Sequence, residues 1–395
     1  MSEPRLTSPR VGMDRSSRVF TRILRWAPLL LLAIPLHAAT QRVLQWQRAA
    51  RILGRFSAPE SHATDAVPEL PGERAFPFAT KPTDALRWIE YRPAAPRAAL
   101  VLVHGVQYLG IHEPRLVRFA RSLASEGILV VTPELPELAD YRIDPRSIDR
   151  IGFVTQDLAR RVGHPVGVVG TSFAGGLSVM AAARPEYRES IRFVFSLGGH
   201  EDVDRVSRFL ATGVGEGPFA DPASVAPHDY GMLVLLHSHA RRFFPPAEVT
   251  PAEEAITAWL HDDRSVAREH LGQVGDPRLR EDLSELMEHG RRGAWEATVL
   301  ADLDAHREES RSVSPSAVLP ALEVPVYLLH GAGDSVIPAI ETMHFAHDAP
   351  TVVRRALVSA AIVHVEVGKG PNKLDELELV DFLADVLFEA ERDRP

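Results

Sequence analysis

Ser172 stands in the run Val166-Gly167-Val168-Val169-Gly170-Thr171-Ser172-Phe173-Ala174-Gly175-Gly176, where an apolar stretch meets glycine, presents a hydroxyl and continues in small residues. A serine hydroxyl is a weak nucleophile unless it is exposed, backed by a base and set beside amides that hold a developing oxyanion. A sharp turn from a strand into a helix supplies that placement, and the run reads as such a nucleophile elbow. Gly170 suits the turn because a larger side chain there meets neighbouring backbone. Ala174 departs from G-x-S-x-G, although Gly175 and Gly176 follow at once. The same residues also suit an ordinary glycine-rich turn between a strand and a helix.

Two further segments bring partner groups. Ala98 to Val103 reads as a strand ending in His104-Gly105-Val106-Gln107-Tyr108. Val326 to Leu329 reads as a second buried strand, running into His330-Gly331-Ala332-Gly333-Asp334 with Pro338 opening a helix beyond. A strand-like run, Thr351 to Val358, then leads through Ser359, Ala360 and Ala361 to His364. The order Ser172, Asp334, His364 is that of the catalytic triad in one fold and differs from the orders in chymotrypsin and subtilisin.

On these residues the chain resembles the α/β-hydrolase superfamily over roughly residues 84 to 390. The resemblance implies a triad of Ser172, His364 and Asp334, and an oxyanion hole from the amides of Val106 and Phe173. It implies no cofactor. Gly105 and Gly170 support the two turns, and His104 is expected to shape the oxyanion loop. Each triad member has a second reading. Asp334 suits a helix N-cap before Ile337 and Pro338. His364 lies in Ile362-Val363-His364-Val365-Glu366-Val367, whose alternation also fits a short strand with His364 and Glu366 on its wet face. His344 and His347 fall on the helix after Pro338, pointing away from a strand-end site. Asp202 and Asp204 are fallback acids after the preceding strand, and His330 receives no catalytic role.

With 395 residues, 45% of them hydrophobic and 25% charged, the chain suffices for one large core or two modest ones. A net charge of −9 argues against nucleic acid, and the basic residues beyond residue 60 are interleaved with acids as on a solvated surface. The absence of cysteine excludes a disulfide scaffold, a thiolate nucleophile and a thiolate metal site. His237-Ser238-His239 lacks the following ligands of a hydrolytic metal centre, so no metal is expected. Gly213 to Pro218 reads as a loop and not a phosphate cradle.

Residues 1 to 25 carry six arginines against Glu3 and Asp14, and Trp26 to Ala39 has no charged side chain if His37 is neutral. The pattern resembles a signal peptide or signal anchor, although the run is short for a span and holds Pro28 and Pro35. Gln41 to Phe56 continues as an arginine-bearing amphipathic helix suited to a lipid interface. Membrane attachment through residues 18–56, export with cleavage, and a soluble N-terminal helix are the three readings. The arginine asymmetry puts the catalytic domain outside the cytoplasmic membrane if the segment anchors.

Residues 57–83 read as a linker and 84–395 as the catalytic domain. Alternating strands and helices from Leu86 onward predict an α/β fold, a mostly parallel sheet with helices on both faces. Between about 200 and 320 helical periodicity takes over, in Tyr230–Phe244, Pro251–Glu269, Leu279–Met287 and Trp295–Arg307. By resemblance this is a helical cap, and Leu235 and Leu236 either line an acyl pocket or form cap core. An apolar lidded pocket favours a small-molecule ester with an apolar acyl chain. Acyl transfer by the same residues and a catalytically silent binding protein are the alternatives.

Overall fold

The computed structural model describes residues 40–57, 67–79, 84–219, 225–363, 366–367 and 372–392. Its centre is an eight-stranded sheet: β1 (Glu69–Ala75), β2 (Ala85–Tyr91), β3 (Ala98–Val103), β4 (Ile128–Pro133), β5 (Val166–Thr171), β6 (Ile191–Leu197), β7 (Val326–Gly331) and β8 (Val353–Ser359). The strand order is β1-β2-β4-β3-β5-β6-β7-β8. β2 pairs antiparallel with both β1 and β4, and every pairing from β4 to β8 is parallel. The expected mostly parallel α/β sheet is present.

All six residues of β3, β4 and β7 are buried, which is why they read as unbroken apolar runs. Their side chains still alternate between two cores. Val101, Val103, Val168, Val194 and Leu328 face one layer; Leu100, Leu102, Val169, Phe195 and Leu329 face the other. The first layer holds α4 (Pro145–Val162), α5 (Phe173–Ala183) and α15 (Ile340–Asp348), and the second holds α1 (40–57), α2 (Pro114–Ser125) and α16 (Lys373–Glu391). The single-turn helices α3 (Pro136–Ala139) and α6 (Pro185–Arg188) complete the body.

The insertion between β6 and β7 is helical. It contains α7 (Val203–Thr212), α8 (Asp229–Ser238), α9 (Ala240–Phe243), α10 (Val249–Leu260), α11 (Arg264–Gln273), α12 (Pro277–His289), α13 (Gly293–Ala305) and α14 (Arg307–Arg311). Met232, Leu236, Ile256, Leu283, Leu286 and Trp295 give it a core of its own. The helix expected over Pro251–Glu269 is two helices. Asp262 adopts a left-handed φ of 63°, and the Asp263 carboxylate accepts the Val266 amide at 3.1 Å to start the second.

One expectation about the N-terminal region is corrected. The segment 57–83 contains β1, an edge strand with mostly exposed side chains. Its place comes from backbone pairing with β2, so its sequence carries no apolar alternation. The helix over 40–57 is docked on the fold through one part of its apolar surface, while Val43 and Leu44 are exposed. Ala49 and Ile52 are fully buried, with Trp46, Leu53 and Phe56 packed beside them. Its arginines find carboxylates remote in sequence: Arg42 with Asp381 and Asp385, Arg48 with Glu391 at 2.6 Å, and Arg51 and Arg55 with Glu126 at 2.8 and 2.7 Å. Among the described residues no helix is long and apolar enough to cross a membrane. The Trp26–Ala39 run lies outside the described residues.

Candidate active site

The turn from β5 into α5 puts Ser172 at φ 55° and ψ −136°, a conformation costly for a residue with a Cβ. The turn is held from both sides: the Ser172 N–H donates to the Leu197 carbonyl at 2.8 Å, and the Thr171 hydroxyl donates to the Val103 carbonyl at 3.0 Å. A Cβ on Gly170 would stand 2.3 Å from the Ala174 carbonyl oxygen, so only glycine fits there. The departure at Ala174 is accommodated because the crowding falls one residue later. A Cβ on Gly175 would meet Ser196 Oγ at 2.3 Å, and one on Gly176 would enter the His200 ring at 2.4 Å.

The loop after β3 lies against this turn. A Cβ added to Gly105 would come within 3.1 Å of Ser172 Cβ. His104 is buried, and its Nε2 accepts the Leu135 N–H at 3.0 Å, which leaves the proton on Nδ1 to donate to the Gly105 carbonyl at 2.8 Å. Burial lowers its pKa and keeps the ring neutral. The N–H groups of Val106 and Phe173 meet no acceptor among the described residues.

Asp334, in the loop after β7, is 2% exposed. Its Oδ1 accepts the Val336 and Ile337 amides at 2.9 and 3.0 Å, and its Oδ2 lies 3.5 Å from His330 Nε2. The carboxylate thus closes a turn of its own loop, and α15 begins only at Ile340. His330 is fully buried; its Nε2 donates to the Ile337 carbonyl at 2.9 Å and its Nδ1 accepts the Thr342 hydroxyl at 2.8 Å. His364 lies outside the described residues, between β9 (Ile362–Val363) and β10 (Glu366–Val367), which pair with Val363 opposite Glu366.

The fallback groups are engaged locally. Asp202 caps α7, accepting the Arg205 amide at 3.2 Å and the Ser316 hydroxyl at 2.9 Å, while Asp204 holds Arg208 at 2.7 Å. His344 reaches the Glu216 carbonyl at 3.2 Å, and His347 pairs with Asp348 at 2.7 Å. His237 Nε2 contacts the Asp140 carbonyl at 3.1 Å, and His239 Nε2 faces Glu309 at 3.5 Å. Among the described residues no group of three or more metal-ligating side chains occurs.

A cavity of about 870 Å³ opens beside the turn, and His104, Gly105, Val106, Ser172, Phe173, Ser335 and Val336 line it. The cap supplies the facing wall through Tyr230, Gly231, Val234 and Leu235 of α8 with Val299 and Leu303 of α13. The i, i+4 spacing puts these α8 residues on one face. Met232, Leu233 and Leu236 turn into the cap core, so of the two leucines singled out Leu235 lines the cavity and Leu236 does not.

Three features had no clear mark in the sequence. Phe56 of α1 reaches the cavity wall, its ring tilted against Phe119 with ring centroids 5.2 Å apart. The Tyr230 hydroxyl donates to the Val106 carbonyl at 2.6 Å. A buried cluster joins the β6–α7 turn to α15: Arg205 bonds both Glu201 and Glu341 at 2.5 Å, while Glu341 also accepts the Glu201 and Asp202 amides at 2.9 Å each. One guanidinium cannot fully compensate two carboxylates, and burial raises the Glu201 pKa to about 7.

No protein-family model matches the sequence, and no curated protein is recognisably similar to it. Among solved structures the chain is similar to Pyrococcus horikoshii acylaminoacyl peptidase, with 14% identity over 82% of this chain and 42% of that one, TM-score 0.47. It is similar to a Mycobacterium tuberculosis puromycin-hydrolyzing peptidase at 13% identity over 83% and 40%, TM-score 0.47. A third similar structure is 2,6-dihydroxy-pseudo-oxynicotine hydrolase, at 16% identity over 83% and 71%, TM-score 0.42. The chain thus spans less than half the length of the two peptidases.

Proposed function

We propose that this chain, which has the α/β-hydrolase fold, is a serine hydrolase that cleaves carboxylic esters with an apolar acyl chain through an acyl-enzyme on Ser172. The supporting observation is Ser172 at a positive φ at the head of α5, in the wall of an 870 Å³ cavity whose lining also includes Val106 and Phe173. Ser172 Oγ attacks the ester carbonyl and His364 takes its proton. The amides of Val106 and Phe173 hold the oxyanion, and Asp334 orients His364. His364 then returns the proton to the leaving alcohol, and water repeats the sequence to release the acid. Apolar side chains from the cap, Val234, Leu235, Val299 and Leu303, favour an apolar acyl group over a peptide or sugar.

A fluorophosphonate probe tests the nucleophile, and p-nitrophenyl esters and anilides of increasing acyl length test the substrate class. Ser172→Ala is expected to abolish labelling and turnover with an unchanged circular dichroism spectrum. Labelling that persists at another serine overturns the assignment, and anilide turnover matching ester turnover overturns the ester preference.

A further inference from the structure

The oxyanion loop is held by two groups on successive peptide planes. In the first plane, the Gly105 carbonyl accepts from His104 Nδ1 at 2.8 Å, and a trans peptide then aims the Val106 N–H the opposite way. In the second plane, the Val106 carbonyl accepts from the Tyr230 hydroxyl at 2.6 Å. Fixing both planes fixes both dihedrals of Val106. His104 belongs to the body, but Tyr230 belongs to α8 of the cap. The same turn of α8 reaches the other loop beside Ser172, where the His228 N–H donates to the Ser335 carbonyl at 2.8 Å, next to Asp334. Tyr230 stays protonated because burial raises its pKa, so it remains a donor.

We infer that Tyr230 is a positioning residue for the oxyanion hole, and that seating of the cap through its hydroxyl aligns the Val106 amide for catalysis. The inference rests on the serine-hydrolase reading. It separates binding from chemistry, because the hydroxyl is spent on the loop and is not offered to the substrate. A misaligned oxyanion donor weakens the transition state while leaving the ground state nearly untouched.

Tyr230→Phe removes that oxygen and keeps the ring against Tyr141, 5.9 Å away. With a p-nitrophenyl ester its kcat should fall about 10- to 100-fold with KM within about twofold, less than the effect of deleting an oxyanion donor outright. Affinity for an alkyl trifluoromethyl ketone, whose serine adduct carries an oxyanion, should fall by the same factor. Tyr141→Phe is the control: its hydroxyl also crosses from body to cap, donating to the Leu260 carbonyl at 3.0 Å, but away from the cavity lining. It should leave kcat and ketone affinity at wild-type values. Unchanged kcat and ketone affinity in Tyr230→Phe overturn the inference, as does a rise in KM alone or an equal loss in Tyr141→Phe. These results leave the hydrolase reading standing if the probe still labels Ser172, whereas an unlabelled wild-type Ser172 removes both.

Discussion

Asp334 and Asp202 follow neighbouring strands, and their different partners give them different expected sensitivities. Asp334→Asn keeps an oxygen for the Val336 and Ile337 amides, so the loop stays closed while the negative charge proposed to orient His364 is lost. Esterase kcat should fall by about 10³- to 10⁴-fold with the melting temperature nearly unchanged. Asp202→Ala should do the reverse, losing about 0.5–2 kcal/mol of stability with the α7 cap and leaving kcat intact. Glu201 supplies a pH signature. Its folded pKa, near 7, lies above the unfolded value, so its contribution is fully present below about pH 4.5 and is lost as pH rises through 7. Glu201→Gln should therefore flatten the decline of stability between pH 4.5 and 7, measured by urea unfolding across that range.

At the scale of elements, α8 serves two masters on opposite faces. Leu235→Trp, in the cavity wall, should shift preference towards short acyl esters. Leu236→Trp, in the cap core, should cost about 1–3 kcal/mol and leave the ester profile unchanged. Profiles of p-nitrophenyl esters and thermal melts read both. The body of the fold was legible because strands buried on both faces must be continuously apolar, and because Gly170 and Gly175 occupy places where a Cβ meets backbone or a buried hydroxyl. β1 was not legible, since an exposed edge strand is fixed by main-chain bonds that any sequence can make. The contact of Tyr230 was hidden for another reason: Tyr230 lies in the cap and its partner Val106 in the body, and no local pattern encodes that meeting. The α8 apolar run likewise could not tell cavity wall from cap core, because both faces of the helix are buried.

For the whole molecule, the cavity draws its wall from Phe56 to Val336, so the folded unit around it extends N-terminal to the expected boundary at residue 84. A chain starting at residue 40 should fold and retain full esterase activity. One starting at residue 60 should melt lower and lose activity, because removing α1 exposes the apolar side of α2 and α16 and leaves Glu126 without Arg51 and Arg55. Equal stability and activity of the two chains would show that α1 is dispensable. Membrane attachment through residues before 40 is tested separately: the full chain should sediment with membranes, and the chain starting at residue 40 should not.

The clasp between α1 and α16 also sets an order of events during synthesis. Arg48 and its partner Glu391 are separated by 343 residues, so the first described helix meets this partner only after all the intervening chain has been made. At roughly 5–20 residues per second that interval lasts tens of seconds, during which Trp46, Ile52 and Phe56 have no finished surface to cover them. Over that interval α1 is open to chaperones or to a translocation machinery, and the clasp closes only once α16 has emerged.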